Sequence, residues 1–147
     1  MLTNLSFYKI IAISGKDASN FLQGLITNDI KNADENPIYC AILNAQGRFL
    51  FDSFILKQPD QYLLITHQQT SEELIKKFNI YKLRSDIQIT DLGNQYDIYA
   101  NLNNKAAPKN TIYFTDPRSK KMGQIILSKQ QLPASDDLSQ YHFTRIN

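Results

Sequence analysis

The chain has 147 residues, enough to bury one respectable core or two small lobes packed together. Hydrophobic residues make up 42% and charged residues 20%, a globular composition that argues against disorder. Sixteen Lys and Arg against 14 Asp and Glu leave a net charge of +2, too even to demand nucleic acid as a partner.

The single cysteine, Cys40, excludes an intramolecular disulfide and points to a reducing compartment. The opening MLTNLSFYKI has no basic segment leading into a long apolar run, and no apolar stretch is long enough to cross a bilayer. The expected location is the cytoplasm, with no membrane partner.

Tyr8 to Ile13 reads as a strand ended by the turn signal Ser14-Gly15. A helix is predicted next. Ser14 and Asp17 have capping-box spacing, and Ala18, Phe21, Leu22, Leu25, Ile26 and Ile30 recur at helical intervals. Three strands follow, Ile38 to Leu43, Arg48 to Leu56 and Tyr62 to His67, and their short loops favour antiparallel hairpins. Thr70, with Glu73 three residues on, starts a second helix to Phe78, with Leu74, Ile75 and Phe78 on its buried side.

Asp86 to Asp91 reads as a half-buried strand, with Ile87 and Ile89 inward, and Tyr96 to Leu102 as another. The stretch 103–110 reads as a loop. Thr111 to Thr115 and Met122 to Ser128 form a second hairpin around Asp116-Pro117-Arg118, and Ser135 caps a last helix carrying Leu138, Tyr141 and Ile146. Mixed elements with short antiparallel connections make the fold class α+β, an antiparallel sheet with flanking helices. The predicted extent is 1–147, with sub-lobes 1–92 and 96–147.

Five scattered glycines give no phosphate-binding loop, and His67 and His142 lack neighbours at metal-ligand spacing. No metal site is predicted. Asp52 is the carboxylate of interest. By the two-residue period of a strand, Arg48, Leu50, Asp52, Phe54 and Leu56 share one face, which sets Asp52 among apolar neighbours. A carboxylate buried there needs a partner or a ligand. Alternatively, Phe49, Phe51 and Ile55 form the core face and Asp52 points to water.

Several segments resemble a known family. Ser14-Gly15-Lys16-Asp17-Ala18 through Phe21-Leu22-Gln23-Gly24 to Thr27-Asn28-Asp29 resembles its opening block, and Asn44-Ala45-Gln46-Gly47-Arg48 its next. Tyr81-Lys82-Leu83-Arg84, Asp116-Pro117-Arg118 with Met122-Gly123, and Tyr141 to Ile146 resemble later blocks, in the family order. The family is that of the folate-binding YgfZ proteins, related to the glycine-cleavage T-protein, an aminomethyltransferase.

The resemblance implies the N-terminal lobe of a GcvT/YgfZ-like folate-binding fold. It implies a non-catalytic tetrahydrofolate-binding protein that supports iron–sulfur cluster assembly or repair in client enzymes. A link to tRNA modification would be indirect, through maturation of the modifying enzymes. The KGCYxGQE motif of the family's second half is absent from this chain, so a separately encoded C-terminal half or self-association is an expected partner. Two readings stand beside it: a folate-dependent aminomethyltransferase-like enzyme, and an interaction protein without folate function. The aminomethyltransferases carry paired aspartates where this chain has Phe51-Asp52, which speaks against that chemistry.

On this resemblance, four residues are expected at the folate site. Asp52 would accept the adjacent N–H donors of a reduced pterin. Tyr39 would offer its ring for stacking, and Arg48 would meet the anionic glutamate tail. Arg84 is the fourth, with anchoring of its loop as the alternative role.

Overall fold

The structure, a computed structural model, describes every residue except Ala45, Asn94, Asn104 and Asn147, and the backbone alone of Ile146. It divides into two units, Phe7–Gly93 and a second made of Met1–Ser6 with Asn94–Asn147. The first six residues thus belong with the later part of the chain, which a cut between 92 and 96 does not capture.

The second unit holds β1 (Leu2–Asn4), β7 (Asp97–Asn101), β8 (Ile112–Thr115), β9 (Gln124–Ser128), β10 (Ala134–Ser135) and the helix α3 (Ser139–Ile146). The first unit holds β2 (Tyr8–Ser14), α1 (Ala18–Gln23), β3 (Ile38–Leu43), β4 (Phe49–Gln58), β5 (Gln61–His67), α2 (Ser71–Tyr81) and β6 (Gln88–Asp91). The α+β class stands.

In the first unit the strands lie in the order β3-β4-β5-β2-β6, antiparallel throughout. One face carries Ile11, Ile13, Ile38, Cys40, Ile42, Phe51, Ile55, Tyr62 and Leu64. It packs against Ala18 and Leu22 of α1 and Leu74 and Phe78 of α2. Phe21 and Phe78 meet edge to face, ring centroids 5.4 Å apart. Ile10, Phe54, Leu63 and Ile65, which alternate with these residues, are also buried. Burial on both faces is why β5 reads as the unbroken run Tyr62-Leu63-Leu64-Ile65 rather than as an alternation.

The first predicted helix is much shorter than its apolar stripe. It ends at Gln23, and the chain turns so that Leu25 and Thr27 bond the exposed edge of β3: Leu43 N donates to Leu25 O (2.7 Å) and Thr27 N to Ala41 O (3.0 Å). Ile26 and Ile30 reach the same core from outside any α-helix. The predicted capping box does not form. Asp17 is the N-cap without a side-chain cap, and its Oδ2 instead accepts from Asp86 N at 2.7 Å. Thr70 likewise occupies the N-cap position of α2 but turns its hydroxyl to His67 O, at 3.3 Å.

In the second unit the order is β10-β1-β7-β9-β8, antiparallel except for the parallel pair β1–β10. The predicted hairpin of β8 and β9 is present. Ser135, expected to cap the last helix, lies in β10, and α3 starts four residues later with Ser139 N donating to Asp137 Oδ1 (2.9 Å). Asp116 is almost fully buried and grips Arg118, whose Nε and Nη2 both donate to it, at 3.0 and 2.7 Å. Nη2 also donates to the Tyr141 hydroxyl of α3, at 2.8 Å. Parts of the predicted loops at 45, 94 and 104 and the chain end at 147 lie outside the described residues.

Candidate functional site

The site is built on the sheet of the first unit, and a bulge in β4 decides which residues belong to it. Ile42 pairs with Phe51, but Leu43 pairs with Phe49, so Leu50 is an extra residue. Phe51 and Ile55 therefore face the helix-covered core, with Leu50 packed against it, while Asp52 and Phe54 face the other way. The alternative in which Phe51 and Ile55 hold the core face is thus the correct one for them. Phe49, however, lies beside Leu43 and is exposed.

The bulge also corrects the placement of Arg48. The two-residue period would put it on the side of Asp52, but one extra residue reverses that parity. Arg48 precedes the strand and is exposed. Its backbone N–H donates to the Asn44 side chain at 2.9 Å, which closes the β3–β4 turn. Arg84 is exposed too, in the turn after α2, and no hydrogen bond or ion pair of its side chain is formed among the described residues. Of the four expected residues, the structure brings Asp52 and Tyr39 together.

The Tyr39 hydroxyl donates to Asp52 Oδ2 from the neighbouring strand. On the other side, the β4–β5 ladder pairs Phe54 with Ile65. Continuing that register by two residues brings Asp52 opposite His67, whose Nε2 lies 3.3 Å from Asp52 Oδ1. The carboxylate is bonded at Oδ2, has the His67 ring beside Oδ1, and remains about one-third exposed.

Aromatic rings surround this pair. Phe54 lies under Tyr39, with centroids 5.0 Å apart, and Tyr8 meets Phe54 at 5.9 Å. Tyr8 and Phe7 flank the His67 ring at 5.3 and 6.0 Å. The strand order β3-β4-β5-β2 thus lines up Tyr39, Asp52, His67 and Tyr8 along one face. Each carboxylate oxygen has two lone-pair directions and one polar neighbour, so each can accept a further N–H. Such a face suits a flat ring with paired N–H donors, held by a carboxylate and stacked between aromatics.

His67 has no partner at metal-ligand spacing in the chain, so residue spacing does not single it out. Its signal was the hairpin register, which depends on the turn being Pro59-Asp60 alone. Cys40 sits on the opposite, core face, where burial first and the nearby Asp52 charge second push its thiol up to about 12. Among the described residues no three His, Cys, Asp or Glu side chains converge as metal ligands, and no helix is long and apolar enough to cross a membrane.

A protein of Mycosarcoma maydis named iron-sulfur cluster assembly factor IBA57 homolog, mitochondrial, is 32% identical over 131 residues, 78% of this chain and 32% of that protein. The protein of that name from Pyricularia oryzae is 34% identical over 136 residues, 86% of this chain and 35% of its own length. The chain spans about a third of the length of these curated relatives. Their mitochondrial names overturn the expectation of a cytoplasmic protein, which rested on composition and the look of the first residues.

The fold is similar to that of the glycine cleavage system aminomethyltransferase T from Bartonella henselae, with a TM-score of 0.58 at 19% identity, over 67% of this chain and 27% of that one. Residues 1–101 match the family model of the GCVT N-terminal domain. The chain belongs to the GCVT N-terminal domain family.

Proposed function

We propose that this chain is part of a YgfZ-type protein that binds tetrahydrofolate without catalysing a reaction and serves iron–sulfur cluster assembly. The observation that carries the folate reading is Asp52, held between Tyr39 and His67 on an aromatic face. The pterin ring has adjacent N–H donors on one edge and two flat faces, which match a two-oxygen acceptor flanked by rings. Asp52 and Tyr39 are the ligand residues in this reading. Arg48 and Arg84 are then left for the chain's surface or for the anionic tail of the ligand beyond the ring.

The iron–sulfur role is supported by the names of the relatives, which are cluster assembly factors and point to the mitochondrion as the compartment. Partners would be assembly or client proteins. The non-catalytic reading is supported by Phe51. It stands where aminomethyltransferases have one acid of a pair, and its side chain is packed into the core.

Titration calorimetry of the chain with tetrahydrofolate tests the ligand. Asp52→Ala is expected to weaken binding by about tenfold or more, the scale of a lost charge-assisted pair of hydrogen bonds. Binding that is unchanged in that variant removes Asp52 from the site. The role in assembly is tested by depleting the protein from cells. Iron–sulfur enzymes should lose activity while their protein levels hold, and unchanged activity would argue against it.

A further inference from the structure

Asp52 stands beside a bulge on the sheet face away from the helices, about one-third exposed, where an untethered carboxylate would rotate about its last bond. Both of its oxygens nevertheless have a polar neighbour. Tyr39 takes Oδ2, and His67 Nε2 lies 3.3 Å from Oδ1 on the opposite side. The histidine is itself anchored. It ends β5 opposite Tyr8, its carbonyl accepts from Thr70 Oγ1 at 3.3 Å, and the next residue, Gln68, bonds Phe7 O at 2.8 Å. Its ring lies nearly parallel to that of Phe7, at an interplanar angle of 22°.

We infer that His67 is a positioning residue: its Nε2–H fixes the plane of the Asp52 carboxylate so that the remaining lone pairs point out of the sheet toward a ligand with paired N–H donors. This rests on the reading of Asp52 as the ligand's acceptor. The physical reason is preorganisation. A carboxylate already oriented by two donors loses little freedom on binding, whereas an untethered one must be ordered at that moment. The arrangement also selects one tautomer. A neutral imidazole that donates from Nε2 leaves Nδ1 as an acceptor for a further donor.

Asp52 is the charged group packed against His67. Tyr39 reaches the same carboxylate from β3, and Tyr8 lies beside the ring from β2. None of these supplies a competing cation.

Two measurements decide the matter, and the first needs no ligand. Long-range proton–nitrogen NMR of the free chain at pH 8 should find neutral His67 as the Nε2–H tautomer, with its pattern changed in Asp52→Asn. A His67 that carries its proton on Nδ1 overturns the inference whatever the ligand is. The second is calorimetry with tetrahydrofolate on two variants. His67→Phe keeps the ring packing against Phe7 and Tyr8 but loses the donor, and should bind about tenfold more weakly at an unchanged melting temperature. His67→Gln, which restores an N–H near the same place, should recover affinity to within about threefold of the wild type. Equal binding by the Phe variant would make His67 a packing residue and overturn the inference. A wild-type chain with the Nε2–H tautomer that does not bind tetrahydrofolate would refute folate binding by this chain alone and leave the tethering of Asp52 standing.

Discussion

Gly15 lies so close to Asp86 that a β-carbon on it would sit 2.2 Å from the Asp86 carbonyl oxygen. The contact ties the end of β2 to the segment entering β6, and Asp17 reinforces it by accepting the Asp86 N–H. Gly15 also has φ +108°, a conformation that side chains rarely adopt. Gly15→Ala therefore meets backbone, not a movable side chain. We expect a loss of at least about 2 kcal/mol in urea unfolding. A loss under half that would mean the turn can shift aside.

The buried pair in the second unit should behave differently from a surface ion pair. Burial alone would push the Arg118 guanidinium down, but Asp116 and Tyr141 hold it above its ordinary value. Asp116→Ala leaves that charge without its carboxylate and should cost about 3–5 kcal/mol. Tyr141→Phe removes one hydrogen bond and should cost about 1 kcal/mol. Denaturant midpoints that rank the two variants in the reverse order would contradict this account.

Cys40 should be nearly inert while the chain is folded. Its thiol is buried and its titration lies far above neutral pH, first through burial and then through the charge of Asp52. Since the thiolate is the reactive form, labelling by a thiol reagent at pH 8 should be on the order of a hundredfold slower than in urea. Comparable rates would show that β3 opens readily.

Acid should weaken one tether of β6. Burial raises the Asp91 carboxyl, but a hydrogen bond from Lys9, the Gly93 N–H and the Lys9 charge outweigh it and leave it below its ordinary 3.8. A carboxylate lowered in the folded state contributes stability that is complete above its unfolded value and fades as pH falls through its folded value. The side chain is 40% exposed, so the effect is screened and should stay under about 1 kcal/mol. Asp91→Asn should therefore be slightly less stable than the parent at pH 6, with the gap closing below pH 3.8. A gap that widened in acid would reverse the sign argued here.

Restoring the missing acid should harm the protein without adding chemistry. Phe51 is buried and pairs with Ile42 in the core. Phe51→Asp would set a carboxylate among apolar side chains and should cost about 3 kcal/mol or more. We expect no methylene transfer in an assay with glycine-cleavage partners, and turnover would revive the enzyme reading.

The strands β3, β4, β5, β8 and β9 are legible because β-prone apolar runs joined by short loops leave few other solutions. β1 and β10 are not, being three and two residues long, too short for any periodicity to register. The first helix was overextended because Leu25, Ile26 and Ile30 fit its stripe. They do face the core, but Leu25 and Thr27 give their backbone groups to the edge of β3. At the site, Tyr39 and Asp52 could be found from their side-chain chemistry. Arg48 could not be placed, because one bulged residue reversed its face. His67 was hidden by an error of the same size in the loop: reading Lys57 to Gln61 as the turn sets Thr66, not His67, across from Asp52.

The position of Leu2–Asn4 between β10 and β7 bears on how the chain matures. These residues are synthesised well before their parallel neighbours Ala134 and Ser135, which lie far along the chain. Among the described residues the strand ladders of the 7–93 stretch close within it, so it can settle while Leu2–Asn4 still wait for their partner. A change that disrupts Leu2–Asn4 would therefore burden the late-assembling sheet and spare the early one.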